Sequence, residues 1–257
     1  MLNFRNTNIL FTALLITLIG LNRSQHIPFF VYPLLLFVYS WILFYGCAYI
    51  GSNFFINVIC SADTDRKEIA LSFDDGPAMS YTPEILAILD AEEVKAAFFC
   101  IGNRIAGNES IVRQLHAEGH VIGNHSYSHH FWFDLFSSRK MLADLKMMDS
   151  ALENVTGLQP RLFRPPYGVI NPNLKKAIIA GKYTTIGWNV RSLDTVIDDE
   201  QKLLRKIHDA IKPGAIILFH DTSRTTLAIL PRFIREVREK GYTLVRLDKM
   251  LNLQSYA

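Results

Sequence analysis

Cysteine is scarce, net charge is small and repeats are absent, and each shortage removes a class of protein. The three cysteines, Cys47, Cys60 and Cys100, share no metal-ligand or redox spacing. A disulfide framework is therefore not expected, and all three read as small buried or lipid-facing hydrophobes. The formal net charge of +3 comes without a Lys/Arg block or a basic stripe interleaved with aromatics, which excludes nucleic acid as a partner. No internal repeat or low-complexity segment occurs, and nothing points to a protein partner.

Charge is missing altogether from one long stretch. Residues 27–50 (IPFFVYPLLLFVYSWILFYGCAYI) carry none and exceed the ~20 apolar residues that a bilayer span requires. Trp41 and several tyrosines suit a membrane interface, and Pro33 begins or bends the helix. Residues 9–21 form a shorter apolar run, which could be the core of a signal peptide. No small-x-small cleavage site follows it, because the chain continues Asn22, Arg23, Ser24. Two spans, 9–21 and 27–50, are expected to form a hairpin, so that residues 1–60 are a membrane anchor and 61–257 a soluble domain. Arg5 and Arg23 against Arg66 and Lys67 leave the positive-inside rule undecided.

Beyond residue 61 the composition is that of an ordinary soluble protein, with a core supply sufficient for one domain. Short apolar runs at 68–73, 96–101, 120–123, 161–164, 183–188, 215–219 and 243–247 alternate with longer stretches of helical period. This is the pattern of parallel βα units. Pro83 suits a first helical turn, residues 137–155 repeat apolar side chains at helical spacing, and 222–240 stop before Gly241. The expected fold is α/β: a distorted or incomplete parallel (β/α) barrel of about seven strands, preceded by an N-terminal transmembrane helical hairpin.

The reactive residues fall at or just beyond strand ends, where parallel barrels build their catalytic face. These are Asp74, Asp75, His125, His129, Arg164, Asp194, His220 and Asp221. His125 and His129 are four apart and would face the same way on one helical turn. Asp75 could complete a two-His, one-carboxylate set that leaves positions open for water and substrate. A metal so held lowers the pKa of bound water to about 7 and polarises a carbonyl oxygen, which suits hydrolysis of an acyl bond. Asp74 is then a candidate base and His220 a candidate acid. The blander alternatives are a helix-capping carboxylate for Asp74 and a satisfied strand-end histidine for His220.

At these residues the chain resembles the polysaccharide deacetylases of carbohydrate esterase family four, with their NodB-like catalytic domain. SFDDGP at 72–77 is similar to the family's first motif, HSYSH at 125–129 to the second, RPPYG at 164–168 to the third and LFH at 218–220 to the fifth. The resemblance implies a catalytic base at Asp74 and metal ligands at Asp75, His125 and His129. It implies that Arg164 holds the base, and that Tyr167 stabilises an oxyanion through its backbone N–H. His220 would be the general acid, paired with Asp194, while Leu218 lines an acetyl pocket and Pro166 joins the substrate-binding set. The fourth motif departs from the family, since RSLDT at 191–195 puts Arg191 and Thr195 where an Asp and a Trp are usual. The substrate groove is expected to be altered and catalysis intact.

The implied activity is metal-dependent hydrolysis of N-acetyl groups on N-acetylglucosamine-containing polysaccharide, with peptidoglycan favoured by the tether. Zn²⁺ is the default ion, while Co²⁺, Ni²⁺, Mn²⁺ or Fe²⁺ accept the same ligands. Such a substrate favours a membrane-anchored chain with Arg23 in a cytoplasmic loop and the catalytic domain outside. A domain left in the cytoplasm is the alternative. Two other readings stay open: an O-deacetylase of acetylated xylan or exopolysaccharide, and a non-catalytic carbohydrate-binding relative. Phe131, Trp132 and Phe133 read as aromatic packing over the barrel mouth, with stacking on a sugar ring as the alternative.

Overall fold

Successive strand residues point to opposite faces, and this alternation sorts the side chains of the sheet into inward and outward sets. In the computed structural model, which describes residues 2–257, the strands are β1 (Glu68–Asp74), β2 (Ala97–Cys100), β3 (Val121–Asn124), β4 (Leu162–Phe163), β5 (Thr184–Thr185), β6 (Val190–Arg191), β7 (Ala215–His220) and β8 (Thr243–Leu244). Seven lie in the order β5-β4-β3-β2-β1-β7-β6, all parallel. β8 pairs with the first two residues of β1, on the edge that β2 takes further along. The end strands β5 and β6 do not pair with each other, so the expected incomplete barrel is what forms. Ile59 bridges to Ile186 and Ser61 to Ala215, which patches the opening.

Helices α1 (Phe4–Leu21) and α2 (Val31–Ala48) precede the sheet, and α3 (Thr82–Ala91), α4 (Glu109–Ala117), α5 (Ser138–Thr156), α6 (Pro172–Gly181), α7 (Glu200–Ala210), α8 (Arg224–Glu239) and α9 (Leu247–Leu251) accompany it. Ser137 caps α5 by accepting from the Lys140 amide, Gly157 ends it in the left-handed region, and Ser223 caps α8. The outward residues of β1 and β7, Ile69, Leu71, Phe73, Ile217 and Phe219, pack beneath the helices in the largest core cluster. Their inward neighbours Ala70 and Ile216 belong to a second cluster inside the half-barrel. The same alternation turns Ser72, Asp74, Leu218 and His220 inward.

α1 and α2 are each 18 residues long, with mean hydropathy 1.4 and 1.7, long and apolar enough to cross a membrane. α1 starts before the expected residue 9 and α2 after the expected residue 27. The segment between α2 and β1, placed with the anchor by a division at residue 61, packs into the soluble part. Ile50, Phe54, Phe55 and Val58 are buried against Phe133, Phe163, Ile170, Leu174 and Ile178. The tip of α1 joins them: the Phe4 amide donates to the Phe54 carbonyl at 3.0 Å, and its ring sits 5.1 Å from that of Phe55.

Candidate active site

β1 ends in Asp74, and the chain turns sharply at once, with Asp75 at φ 76°. A left-handed conformation in an aspartate is strained and marks a place where geometry outranks propensity. Gly76 follows because a β-carbon there would collide with the carboxylate of Asp221. That carboxylate, fully buried, accepts from the Thr82 hydroxyl at 2.7 Å, which locks the turn to the start of α3. Burial, then the charges of Asp75 and Asp74, push the Asp221 carboxyl up to about 7 against the opposing hydrogen bonds.

The two histidines converge by a different route from the expected helical turn. Residues 125–130 are loop, with Ser126 and His129 both at positive φ, yet the rings of His125 and His129 lie 5.0 Å apart. The loop is held from below: Asp144 on α5 accepts from the Tyr127 and Ser128 amides at 2.7 and 3.2 Å, and the Asn124 side chain accepts from Ser126. Asp144 was not singled out in the sequence. Its signal is a carboxylate on the apolar stripe of α5, between Met141 and Leu145.

Asp75 Oδ1 stands 3.5 Å from His125 Nε2 and 3.4 Å from His129 Nε2, and one donor atom from each residue fits within 4.8 Å. That oxygen is buried and makes no hydrogen bond, which is costly unless a cation completes it. His125 Nδ1 bonds the Arg164 carbonyl at 2.8 Å, so Nε2 is the free nitrogen facing Asp75. Burial disfavours the charged forms here. It is outweighed at Asp75, whose carboxyl is held below the usual range by His125 and His129, and it prevails at His129, whose pKa falls. The residues fit a divalent cation.

Arg164, fully buried, gathers the other carboxylate. Its Nη1 donates to Asp74 Oδ1 at 2.7 Å and to Ser72 Oγ at 2.9 Å, and Nη2 donates to the Gly187 carbonyl. The guanidinium lies 4.1 Å from the Phe99 ring centroid. On the neighbouring strand, in register with Asp74, His220 Nδ1 bonds Asp194 Oδ1 at 2.8 Å. Burial would lower the His220 pKa, but the hydrogen bond and charge of Asp194, aided by Asp74 and Asp75, push it up to about 9. Asp194 also accepts from Ser192 and Thr226, which fixes it although the rest of the fourth motif is altered. Tyr167, at φ 59°, closes the far side with its ring 4.8 Å from that of His129. Leu218 and Pro166 are buried, on β7 and in the 164–168 loop.

A parallel half-barrel with two histidines and two carboxylates at its strand ends suits metal-assisted hydrolysis of an acyl bond. The sequence matches the Polysaccharide deacetylase family over residues 61–186. It is 32% identical over 188 residues to a peptidoglycan-N-acetylglucosamine deacetylase of Bacillus cereus, covering 69% of this chain and 68% of that one. The structure is similar to that of the Bc1960 peptidoglycan N-acetylglucosamine deacetylase, with TM-score 0.74 and 28% identity over 78% of this chain and 95% of that one. The chain belongs to the polysaccharide deacetylase family, whose members are in general metal-dependent hydrolases. It is also similar to a family pseudoenzyme from Bacillus anthracis, with TM-score 0.71 and 28% identity over 76% of this chain and 69% of that one. Fold alone therefore does not carry activity, and the side chains must.

Proposed function

We propose that this chain is a membrane-anchored N-deacetylase of cell-wall peptidoglycan, holding Zn²⁺ on Asp75, His125 and His129, with its catalytic domain outside the cytoplasmic membrane. The observation that carries the reading is the unpartnered Asp75 oxygen between two histidine nitrogens, beside an Asp74 already fixed by Arg164. When bound, the ion acidifies water and polarises the acetyl carbonyl. Asp74 takes the proton of the attacking water, with Oδ1 held by Arg164 and Oδ2 free to receive it. The Tyr167 amide supports the negative charge that develops on the acetyl oxygen. Leu218 and Pro166 shape the acetyl pocket. His220, kept protonated by Asp194, delivers its proton to the departing amine through the nitrogen that Asp194 leaves free. An amide needs this step more than an ester does, which favours the N-acetyl substrate over an O-acetyl one.

The test is acetate release by the full chain in detergent, loaded with zinc, on peptidoglycan fragments and N-acetylglucosamine oligomers. Release abolished by a chelator and restored by zinc is expected. A folded, metal-loaded chain that frees acetate only from O-acetyl esters would overturn the N-deacetylase reading.

A further inference from the structure

Large exposed hydrophobic side chains are unevenly spread over the soluble part. Of the eight beyond Ser61, Met79, Phe131, Trp132, Leu135, Tyr167 and Val196 all sit on loops that follow strand carboxyl ends, around the mouth of the site. Phe131 and Leu135 are 70% and 74% exposed. Of the three aromatics after the His motif only Phe133 is buried, so the expected packing over the mouth holds for it alone. An exposed apolar rim of this kind marks an interaction surface, for a ligand, a protein or a membrane.

The membrane helices end beside this rim. The Ile170 amide donates to the Cys47 carbonyl in the last turn of α2, at 3.1 Å. Ile170 is three steps along the chain from Tyr167, at most about 11 Å, and the Tyr167 ring contacts that of His129. Between α2 and the catalytic face lies a cleft of about 340 Å³, lined by Tyr49 and Ile50 from the anchor and by Tyr167, Trp188 and Arg191 from the face. Arg191, where the family usually has an acid, is exposed and has no carboxylate partner among the described residues. It offers a phosphate a cation in the same cleft as Ala48, Tyr49 and Ile50 at the end of α2.

We infer that the catalytic mouth is held against the membrane surface and acts on an N-acetylated saccharide carried by a membrane lipid through a phosphate. The sugar enters from the cleft, Arg191 meets the phosphate, and the rim rests among the lipid headgroups. This inference rests on the N-deacetylase reading and names the form in which its substrate arrives.

The full chain in phospholipid nanodiscs would be given three substrates at matched acetyl concentration: a polyprenyl-diphosphate-linked N-acetylglucosamine disaccharide in the same discs, isolated cell-wall sacculi, and soluble N-acetylglucosamine oligomers. Acetate release from the lipid-linked sugar at least tenfold faster than from sacculi is expected. The double variant Phe131→Ser, Leu135→Ser should lose at least fivefold on the lipid-linked sugar and keep its rate on soluble oligomers. A nitroxide placed by Leu135→Cys, with Cys47 and Cys60 replaced by alanine, should be more accessible to oxygen than to a water-soluble nickel chelate. Sacculi turned over as fast as the lipid-linked sugar, an equal loss on both substrates in the double variant, or a nitroxide lying in water would each overturn the inference while leaving the deacetylase in place. Silence on all three substrates would remove both.

Discussion

His125 and Asp74 stand 3.9 Å apart, and the proposed function gives them separable tasks that single substitutions distinguish. On the proposed function, His125→Ala removes a ligand from a set of three, so the bound divalent metal should fall well below one per chain, as metal analysis after gel filtration would show. Asp74→Asn keeps the ligands and the shape, so metal should stay bound while kcat drops about 10²–10⁴-fold. Asp194→Asn tests the acid. His220 is pushed up to about 9, so its proton is available below that pH and lost above it. The alkaline limb of kcat/KM should therefore move to lower pH by about one to two units in the variant. A bound cation lowers the limb in parent and variant alike, so the difference between them isolates Asp194. The raised pKa also adds stability that is full below about pH 6.5 and lost as pH climbs through about 9. Most of these residues were legible in the sequence because doublets of carboxylate and imidazole at strand ends serve chemistry better than packing. Asp144 was not, because a lone acid in a helical stripe becomes meaningful only when the amides it caps are seen.

Among elements, the long strands were the readable ones. β1 and β7 are near-continuous apolar runs of seven and six residues, long enough to stand out between stretches of helical period. β6 has two residues, and no alternation can be read from two. The run at 183–188 likewise shrinks to Thr184–Thr185, with Ile186 pairing instead to Ile59 from before the domain. The segment after α2 shows how much such a short element can bear. Phe54 is 3% exposed, and its ring lies against Gly46, where any β-carbon would collide with it. Glycine costs α2 about 1 kcal/mol of helix propensity relative to alanine, which the docking of this ring offsets. Phe54→Ala should destabilise the soluble part by about 3–5 kcal/mol, seen as a drop in Tm on the order of 10 °C in detergent.

At the scale of the molecule, the two N-terminal helices and the segment after them share one apolar core with the half-barrel instead of meeting it through a linker. A fragment of residues 61–257 leaves Phe133, Phe163 and Ile178 without Phe54, Phe55 and Val58 and leaves Ile186 without Ile59. A fragment of residues 50–257 keeps all of them. The shorter fragment is expected to aggregate or melt well below the longer one, checked by size exclusion and circular dichroism. Equal melting temperatures would show that the shared core contributes little. The same core holds the end of α2 beside the 164–168 loop, which ties the candidate site to the end of that helix.

The sequence by itself determined the class of fold and the placing of the candidate residues at or just beyond strand ends. Those properties are carried by local period and by short motifs, which the residues display without any partner. Tertiary structure alone decided how the two histidines approach, since their loop depends on left-handed residues braced from α5. It also decided that the segment before residue 61 joins the core and that the site opens beside the end of α2. These arrangements follow from burial and hydrogen bonding between residues as far apart as Cys47 and Ile170, for which local periodicity holds no signal.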